Sequence, residues 1–255
     1  MKVIILGSGT SQGVPKIGCY CETCTSKNPK DKRLRTSAYI ETEGQKILID
    51  TSIDFRQQFI NNNISDLDAV LFTHHHVDHI LGLDDIRQIN QLHNKYIDLY
   101  GNDLTMDELR TTFRYAFKEQ LVSHLAVPMV KINKIKNEKF KIRNVEIIPI
   151  EVMHGRLPIF GYRIGNFAYI TDCSRISDVE MNKLKGLEVL ILNSLRILPH
   201  PSHLNVEEAV SIAGKLRPAK TYLTHMTHDI NHDKMNAKLP KGIELAYDGL
   251  TLKLK

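Results

Sequence analysis

No stretch of this chain approaches the roughly 18 consecutive apolar residues of a membrane-spanning helix, so no such helix and no membrane partner are expected. The apolar run Met1-Lys2-Val3-Ile4-Ile5-Leu6 stops at Gly7, too short for a signal peptide, and reads as a buried first strand. Cysteine is scarce, with four in 255 residues, and three of them crowd into Cys19-Tyr20-Cys21-Glu22-Thr23-Cys24. Such spacing suits a metal better than a disulfide framework and points to a reducing cytoplasm. Low-complexity segments, repeats of solenoid period and long linkers are missing as well. A large excess of one charge is also absent: the net charge of +5 is a mild bias toward anionic partners, too weak to name nucleic acid.

What is present is a succession of short β-rich runs. Residues 3–6, 37–41, 46–50 and 69–72 read as strands, with Glu43-Gly44 as a hairpin turn. Residues 83–93 read as a helix. Residues 105–120 read as a longer one, with Thr105 and Glu108 in a capping-box pattern. The second half repeats the scheme: strands at 139–142, 145–151, 160–164, 167–171 and 189–192, then a helix at 205–216 ended by Arg217-Pro218. The last strands fall at 221–224, 243–247 and 250–254, with Asp248-Gly249 expected to join the final two as a hairpin. Two such rounds predict two sheets packed face to face with helices outside, an α+β four-layer αββα sandwich forming one domain over residues 1–255. Lys131, Lys134, Lys136, Lys139, Lys141 and Arg143 form a basic stretch, read as a solvated strand edge in preference to an RNA track because no aromatic series accompanies it.

The chemistry concentrates after the fourth apolar run, in Thr73-His74-His75-His76-Val77-Asp78-His79. His74 and His76 are two apart, so an extended segment points them the same way, while His75 faces the other way. Asp78 and His79 follow on the turn into a helix and can address a second ion. Imidazole and carboxylate suit zinc, manganese or iron and leave positions for water. Asp50, closing Ile47-Leu48-Ile49, reads equally as a carboxylate supporting a ligand histidine or as a turn carboxylate. Cys19, Cys21 and Cys24 leave one position of a tetrahedral zinc unfilled, and His228 is the candidate for it, which would make a closed structural site. Cys173 stands apart and reads as a small buried residue.

The His-x-His-x-Asp-His segment resembles the signature of the metallo-β-lactamase superfamily. The resemblance implies that His74, His76 and His154 hold one divalent metal, zinc or manganese. It places Asp78, His79 and His225 on a second, with Asp172 between them. Two such ions, about 3.5–4 Å apart, would share a water and lower its pKa toward ~7, so a bridging hydroxide attacks while Asp78 orients it. The segments Gly7-Ser8-Gly9-Thr10-Ser11-Gln12-Gly13-Val14-Pro15, the cysteine cluster and Thr224-His225-Met226-Thr227-His228 resemble the PhnP-like phosphodiesterases within that superfamily. This implies hydrolysis of a small or cyclic phosphodiester, of the phosphoribosyl 1,2-cyclic phosphate kind, and one structural zinc at the Cys3His positions. The glycines lack dinucleotide-binding spacing and read as a tight loop beside the metals.

A leaving oxygen needs a proton. His203, in Pro201-Ser202-His203, is the candidate catalytic acid, with His200 as competitor. Arg33 and Arg35 read either as a bidentate phosphate grip or as solvated surface, with solvated surface preferred for Arg33. Two alternatives stand beside the phosphodiesterase. The tRNA 3′-end nucleases of the superfamily carry a long glycine- and lysine-rich arm that is not visible here, so nucleic acid is not favoured as a partner. The PqqB-like cofactor-biosynthesis proteins share a cysteine cluster and a segment like residues 49–58, and would imply oxidation. The intact histidine motif favours the hydrolase. A homodimer is compatible with the sequence.

Overall fold

The computed structural model describes residues 1–117 and 127–254. Every central strand carries apolar side chains on both faces, and strict alternation decides which layer each one joins. In β1 (Lys2–Gly7), Val3 and Ile5 enter one core and Ile4 and Leu6 another. In β3 (Gln45–Ile49) and β4 (Ala69–Leu71), Ile47, Ile49, Ala69 and Leu71 point inward, while Leu48 and Val70 point outward. With β2 (Ser37–Thr42), β5 (Ile97–Gly101), β6 (Val130–Lys134) and β15 (Leu250–Lys253) they form a seven-stranded sheet in the order β15-β1-β2-β3-β4-β5-β6.

The second sheet runs β11-β8-β9-β10-β12-β13-β14. These strands are β8 (Val145–His154), β9 (Leu157–Ile164), β10 (Phe167–Ile170), β11 (Arg175–Ile176), β12 (Val189–Asn193), β13 (Lys220–Thr224) and β14 (Ile243–Leu245), with β7 (Phe140–Ile142) paired to β8. Phe167, Tyr169, Val189 and Ile191 face the first sheet across a common core, and Ala168, Ile170, Leu190 and Leu192 pack outward. Helices Phe55–Asn61, Ile86–His93 and Asp103–Thr112 cover the first sheet; Val206–Leu216 covers the second. The result is the expected four-layer αββα sandwich. Among the described residues no helix is long and apolar enough to cross a membrane.

Several local readings change. The expected hairpin at Asp248-Gly249 does not form. β14 pairs with β13 in one sheet and β15 with β1 in the other, so the segment between them crosses layers. Asp248 is spent as a half-buried acceptor instead: one oxygen takes Ser8 N–H at 2.9 Å and Ser8 Oγ–H at 2.8 Å, the other takes Leu34 N–H at 2.7 Å. The helix expected at 105–120 starts earlier, because Asn102 and not Thr105 caps it, and its α-helical part ends at Thr112; residues 118–120 lie outside the described residues. The helix expected at 83–93 begins as a 3-10 turn over Leu81–Asp85. By contrast, Asn205 and Glu208 make a full capping box on Val206–Leu216, which ends on Arg217 in the left-handed conformation. The lysine-rich β6 is an edge strand, with Lys134 paired to Asp107 and Lys131 over the Tyr96 ring. That is the solvated edge expected of it.

Candidate metal centre

In both sheets a tight antiparallel hairpin leads into parallel strands, β3-β4-β5 and β10-β12-β13. Ligands in such sheets gather beyond the carboxyl ends of the parallel strands. That is where β3 delivers Asp50, β4 delivers the 74–79 loop, β10 delivers Asp172 and β13 delivers His225. Asp50, Asp172 and His225 all adopt left-handed backbone, with φ of 61°, 54° and 58°. The loops of the two sheets are laced together here: Phe160 N–H donates to Thr73 C=O at 3.0 Å, and the buried Tyr162 hydroxyl donates to Phe72 C=O at 2.6 Å.

Two groups of potential ligands share one residue. His74, His76, His154 and Asp172 bring one donor atom each to within 4.8 Å of one another, and Asp78, His79, Asp172 and His225 do the same. These are the seven residues named from the sequence. His75 belongs to neither group. Around the shared carboxylate, His225 Nε2 lies 3.2 Å and His79 Nε2 3.5 Å from Asp172 Oδ1, and His74 Nε2 lies 3.8 Å from Oδ2.

The residues fit a metal by a test of their own. Nε2 of His74, His79 and His225 is buried in each case and has no hydrogen-bond partner. A buried polar atom without a partner is costly, and three converging on one carboxylate have the arrangement of ligand atoms. The rear nitrogens of His74, His79 and His154 are held, while Nδ1 of His225 is buried without a partner. Asp50 accepts from His79 Nδ1 at 2.7 Å and from the Thr73 hydroxyl at 2.8 Å; the Thr73 oxygen in turn lies 3.0 Å from His74 Nδ1. His154 Nδ1 donates to the Ser202 carbonyl at 2.8 Å. These contacts put hydrogen on Nδ1 and leave Nε2 as the lone pair.

Electrostatics agree. Burial, helped by His79, keeps His74 neutral, the form that ligates. Burial also opposes charge on His79, but Asp78, Asp172 and Asp50 outweigh it and hold a proton there, which a metal ion would displace. Asp172 is ionised against the cost of burial by His225 and His79. His203 Nε2 lies 3.3 Å from Asp172 Oδ2, and its ring stacks on His225 at 5.2 Å. Burial lowers its pKa to about 4. His200 stands behind it, contacting His203 and not the centre.

Cys19, Cys21, Cys24 and His228 form the third group within 4.8 Å. His228 Nδ1 lies 3.4 Å from Cys19 Sγ and 3.3 Å from Cys21 Sγ. That imidazole holds the Cys21 thiol down to about 6, while burial pushes Cys24 up to about 11. Arg33 is neither solvated nor a phosphate grip. It is buried, and its guanidinium donates to Thr227 C=O, Ile230 C=O and Asp31, riveting the cysteine loop to the loop after β13. Arg35 is tied to Asp54 at 3.2 Å and to the Ser11 carbonyl. Sequence reasoning missed Thr73 and Ser202. Thr73 had a signal, its place between a strand end and a ligand histidine. Ser202 acts through its backbone and had none.

The chain is similar to several known proteins. A solved structure described as a new diphosphatase from the PhnP family is 42% identical, covers 100% of this chain and 98% of its own, and superposes with a TM-score of 0.93. An octanoyltransferase of Porphyromonas gingivalis is 40% identical over 254 residues, 98% of this chain but 51% of that protein, so the chain spans about half the length of this curated relative. Coenzyme PQQ synthesis protein B of Methylorubrum extorquens strain PA1 is 34% identical over 228 residues, 76% of this chain and 72% of that protein. The sequence profile of the β-lactamase superfamily domain matches residues 45–226. That span contains all seven residues of the two groups sharing Asp172 but not the cysteine cluster. The chain therefore belongs to the metallo-β-lactamase superfamily, resembles the PhnP family over its whole length, and carries residue groups that could hold metal.

Proposed function

We propose that the protein hydrolyses a phosphodiester or diphosphate linkage in a small substrate, using two divalent ions that share Asp172. The carrying observation is the pair of four-residue ligand groups meeting on that carboxylate, each with buried, unpartnered nitrogen. The diphosphatase relationship, across the whole chain, supports phosphoryl chemistry over the other reactions of this fold. His74, His76 and His154 would hold one ion, Asp78, His79 and His225 the other. The chemistry such a pair supplies is polarisation of a phosphoryl oxygen and acidification of a water to a pKa near ~7. Asp78, ionised against burial by His79, orients the attacking water. Asp50 and Ser202 keep the ligand histidines in one tautomer. His203, with Nε2 beside Asp172, stands where a proton would pass to the leaving oxygen. The Cys3His cluster would take one structural zinc, closed to water.

The octanoyl transfer named for the P. gingivalis protein is not carried over, because this chain spans about half of that protein. Cys173 is buried with its pKa pushed up to about 12, and the other cysteines converge on His228 as a ligand group. The test is a hydrolysis panel with Zn²⁺ and with Mn²⁺. Bis(p-nitrophenyl) phosphate, a ribose cyclic phosphate and a nucleoside diphosphate compound are set against a lactone, a thioester and a β-lactam. Faster turnover of the lactone, thioester or β-lactam would overturn the reading.

A further inference from the structure

The four ligand atoms of the Cys3His cluster close a coordination sphere but not the space beside it. Cys24 is buried, at 4% exposure, whereas Cys19, Cys21 and His228 are half-buried. Cys21 and His228 also line a surface cavity of about 360 Å³, walled by Thr23, Ile197, Asn231 and Lys234. A molecule the size of water needs only about 10–15 Å³, so small solutes reach these two ligands from solvent. After Cys21 the chain makes one helical turn, Glu22–Thr25, in which Thr25 N–H donates to Cys21 C=O at 3.0 Å. Cys24 is three residues on, and helix geometry sets such Cα atoms roughly 5 Å apart. That is inside the roughly 4.4–6.8 Å a disulfide spans. The sulfurs already lie within 4.8 Å of each other. Zinc is not the only clamp between the cysteine loop and the loop after β13. The Arg33 guanidinium donates to Thr227 C=O at 3.0 Å and to Ile230 C=O at 2.6 Å. Met226 N–H donates to Ser8 C=O at 3.0 Å, and Thr10 N–H donates to Met226 C=O at 3.1 Å.

We propose that Cys21 is an oxidative modification site for hydrogen peroxide, with Cys24 as its resolving thiol and the cluster's zinc as the ion released. This rests on the zinc reading of the Cys3His cluster. The Cys21 sulfur attacks one peroxide oxygen and the O–O bond breaks. The departing oxygen takes a proton from solvent and leaves as water, and Cys21 becomes a sulfenic acid. The Cys24 sulfur then attacks the Cys21 sulfur: the S–S bond forms, the S–O bond breaks, and that oxygen also takes a proton and leaves as water. The two sulfurs together lose two electrons, and the peroxide gains them. The thiolate is the zinc ligand, so oxidation removes two of the four and leaves Cys19 and His228. The fold stays, because the Arg33 and Met226 contacts do not pass through the metal.

The test treats the protein, with Mn²⁺ exchanged into its open centre and zinc in the cluster, with hydrogen peroxide in steps. Free zinc is followed with a chromophoric indicator, disulfides by peptide mass spectrometry, and secondary structure by circular dichroism. One zinc appears for each Cys21–Cys24 disulfide, and the far-ultraviolet spectrum is retained. Dithiothreitol with added zinc reverses the release. Cys173, fully buried, stays reduced. In Cys24→Ser, Cys21 halts as a sulfenic acid that dimedone captures. Zinc released without that disulfide overturns the proposal. So does a disulfide between a different pair of cysteines, or a loss of secondary structure that keeps pace with the zinc. The zinc reading is checked separately by elemental analysis, where Cys21→Ser should hold one zinc fewer than the wild type. Equal contents overturn that reading, and the disulfide map still decides whether Cys21 and Cys24 pair.

Discussion

Asp50→Asn isolates what a carboxylate behind the centre contributes. One Asp50 oxygen accepts Thr73 N–H at 2.8 Å; the other accepts both the Thr73 hydroxyl at 2.8 Å and His79 Nδ1 at 2.7 Å. All three partners are donors, and asparagine offers a single oxygen. If its amide nitrogen faces Thr73 N–H, two buried donors collide at the end of β4. If it faces His79, Nδ1 must become the acceptor, and hydrogen moves to Nε2, the atom aimed at Asp172. The Thr73 hydroxyl is also released from Asp50, which frees the tautomer of His74. Either outcome leaves one buried conflict, about 1–3 kcal/mol. Expressed in metal binding, that is roughly 10–100-fold in affinity, the usual scale for groups that orient ligand histidines. The backbone is spared, since asparagine tolerates the φ of 61° found at Asp50. The assay is competition for Zn²⁺ and Mn²⁺ against a chelator of known affinity, beside a melting curve. Melting should fall by about 2–4 °C per kcal/mol of lost stability. Wild-type metal affinity in a folded Asp50→Asn protein would refute the claim that Asp50 sets the ligand tautomers.

Mild chelation should strip activity first and leave about one zinc per chain, because closed thiolate sites release metal more slowly than open nitrogen and oxygen sites; Cys21→Ser should lose that zinc and lower the melting temperature, as elemental analysis and calorimetry would show. Tyr162→Phe removes a side-chain donor to Phe72 C=O, at 2.6 Å and fully buried, and should cost about 1 kcal/mol in urea unfolding, with an unchanged midpoint arguing against a lacing role. Burial raises the Asp248 carboxyl to about 7, above the 3.8 of an exposed one. The folded state then holds the extra proton between those values, so stability falls as pH rises from about 4 to about 7. Asp248→Asn should flatten that slope in pH-resolved unfolding, and an unaltered slope would assign it to other groups.

The sequence carried what is local. HxHxDH lies in one loop after one strand, so its spacing alone gathers four ligand-type residues. His154, Asp172 and His225 are each a lone residue at the end of a different strand, and only the superfamily resemblance united them with that loop. The sandwich followed from two successive rounds of strands and helices, and the structure shows both faces of β1, β3, β4, β10 and β12 to be apolar. β5 was missed: Ile97-Asp98-Leu99-Tyr100-Gly101 is short, and its polar alternate positions resemble a loop until β4 and β6 flank it. Asp248-Gly249 has hairpin chemistry, yet the strands on either side join different sheets, a tertiary choice that turn residues do not encode. Arg33 misled for a similar reason. An arginine is normally solvated, and only the convergence of two carbonyls from the loop after β13 with Asp31 makes its burial tolerable.

The left-handed strand ends at Asp50, Asp172 and His225 bear on which sequences can occupy this fold at all. At positive φ a β-branched residue is severely disfavoured, while asparagine, aspartate, histidine and glycine are tolerated. The backbone therefore filters these three positions before any reaction does. A library randomised there and sorted only for folding should already be depleted of valine, isoleucine and threonine. Much of what would look like selection for chemistry would be selection for shape. Loss of activity by drift would leave a recognisable trace, carboxylates decaying toward asparagine before anything larger.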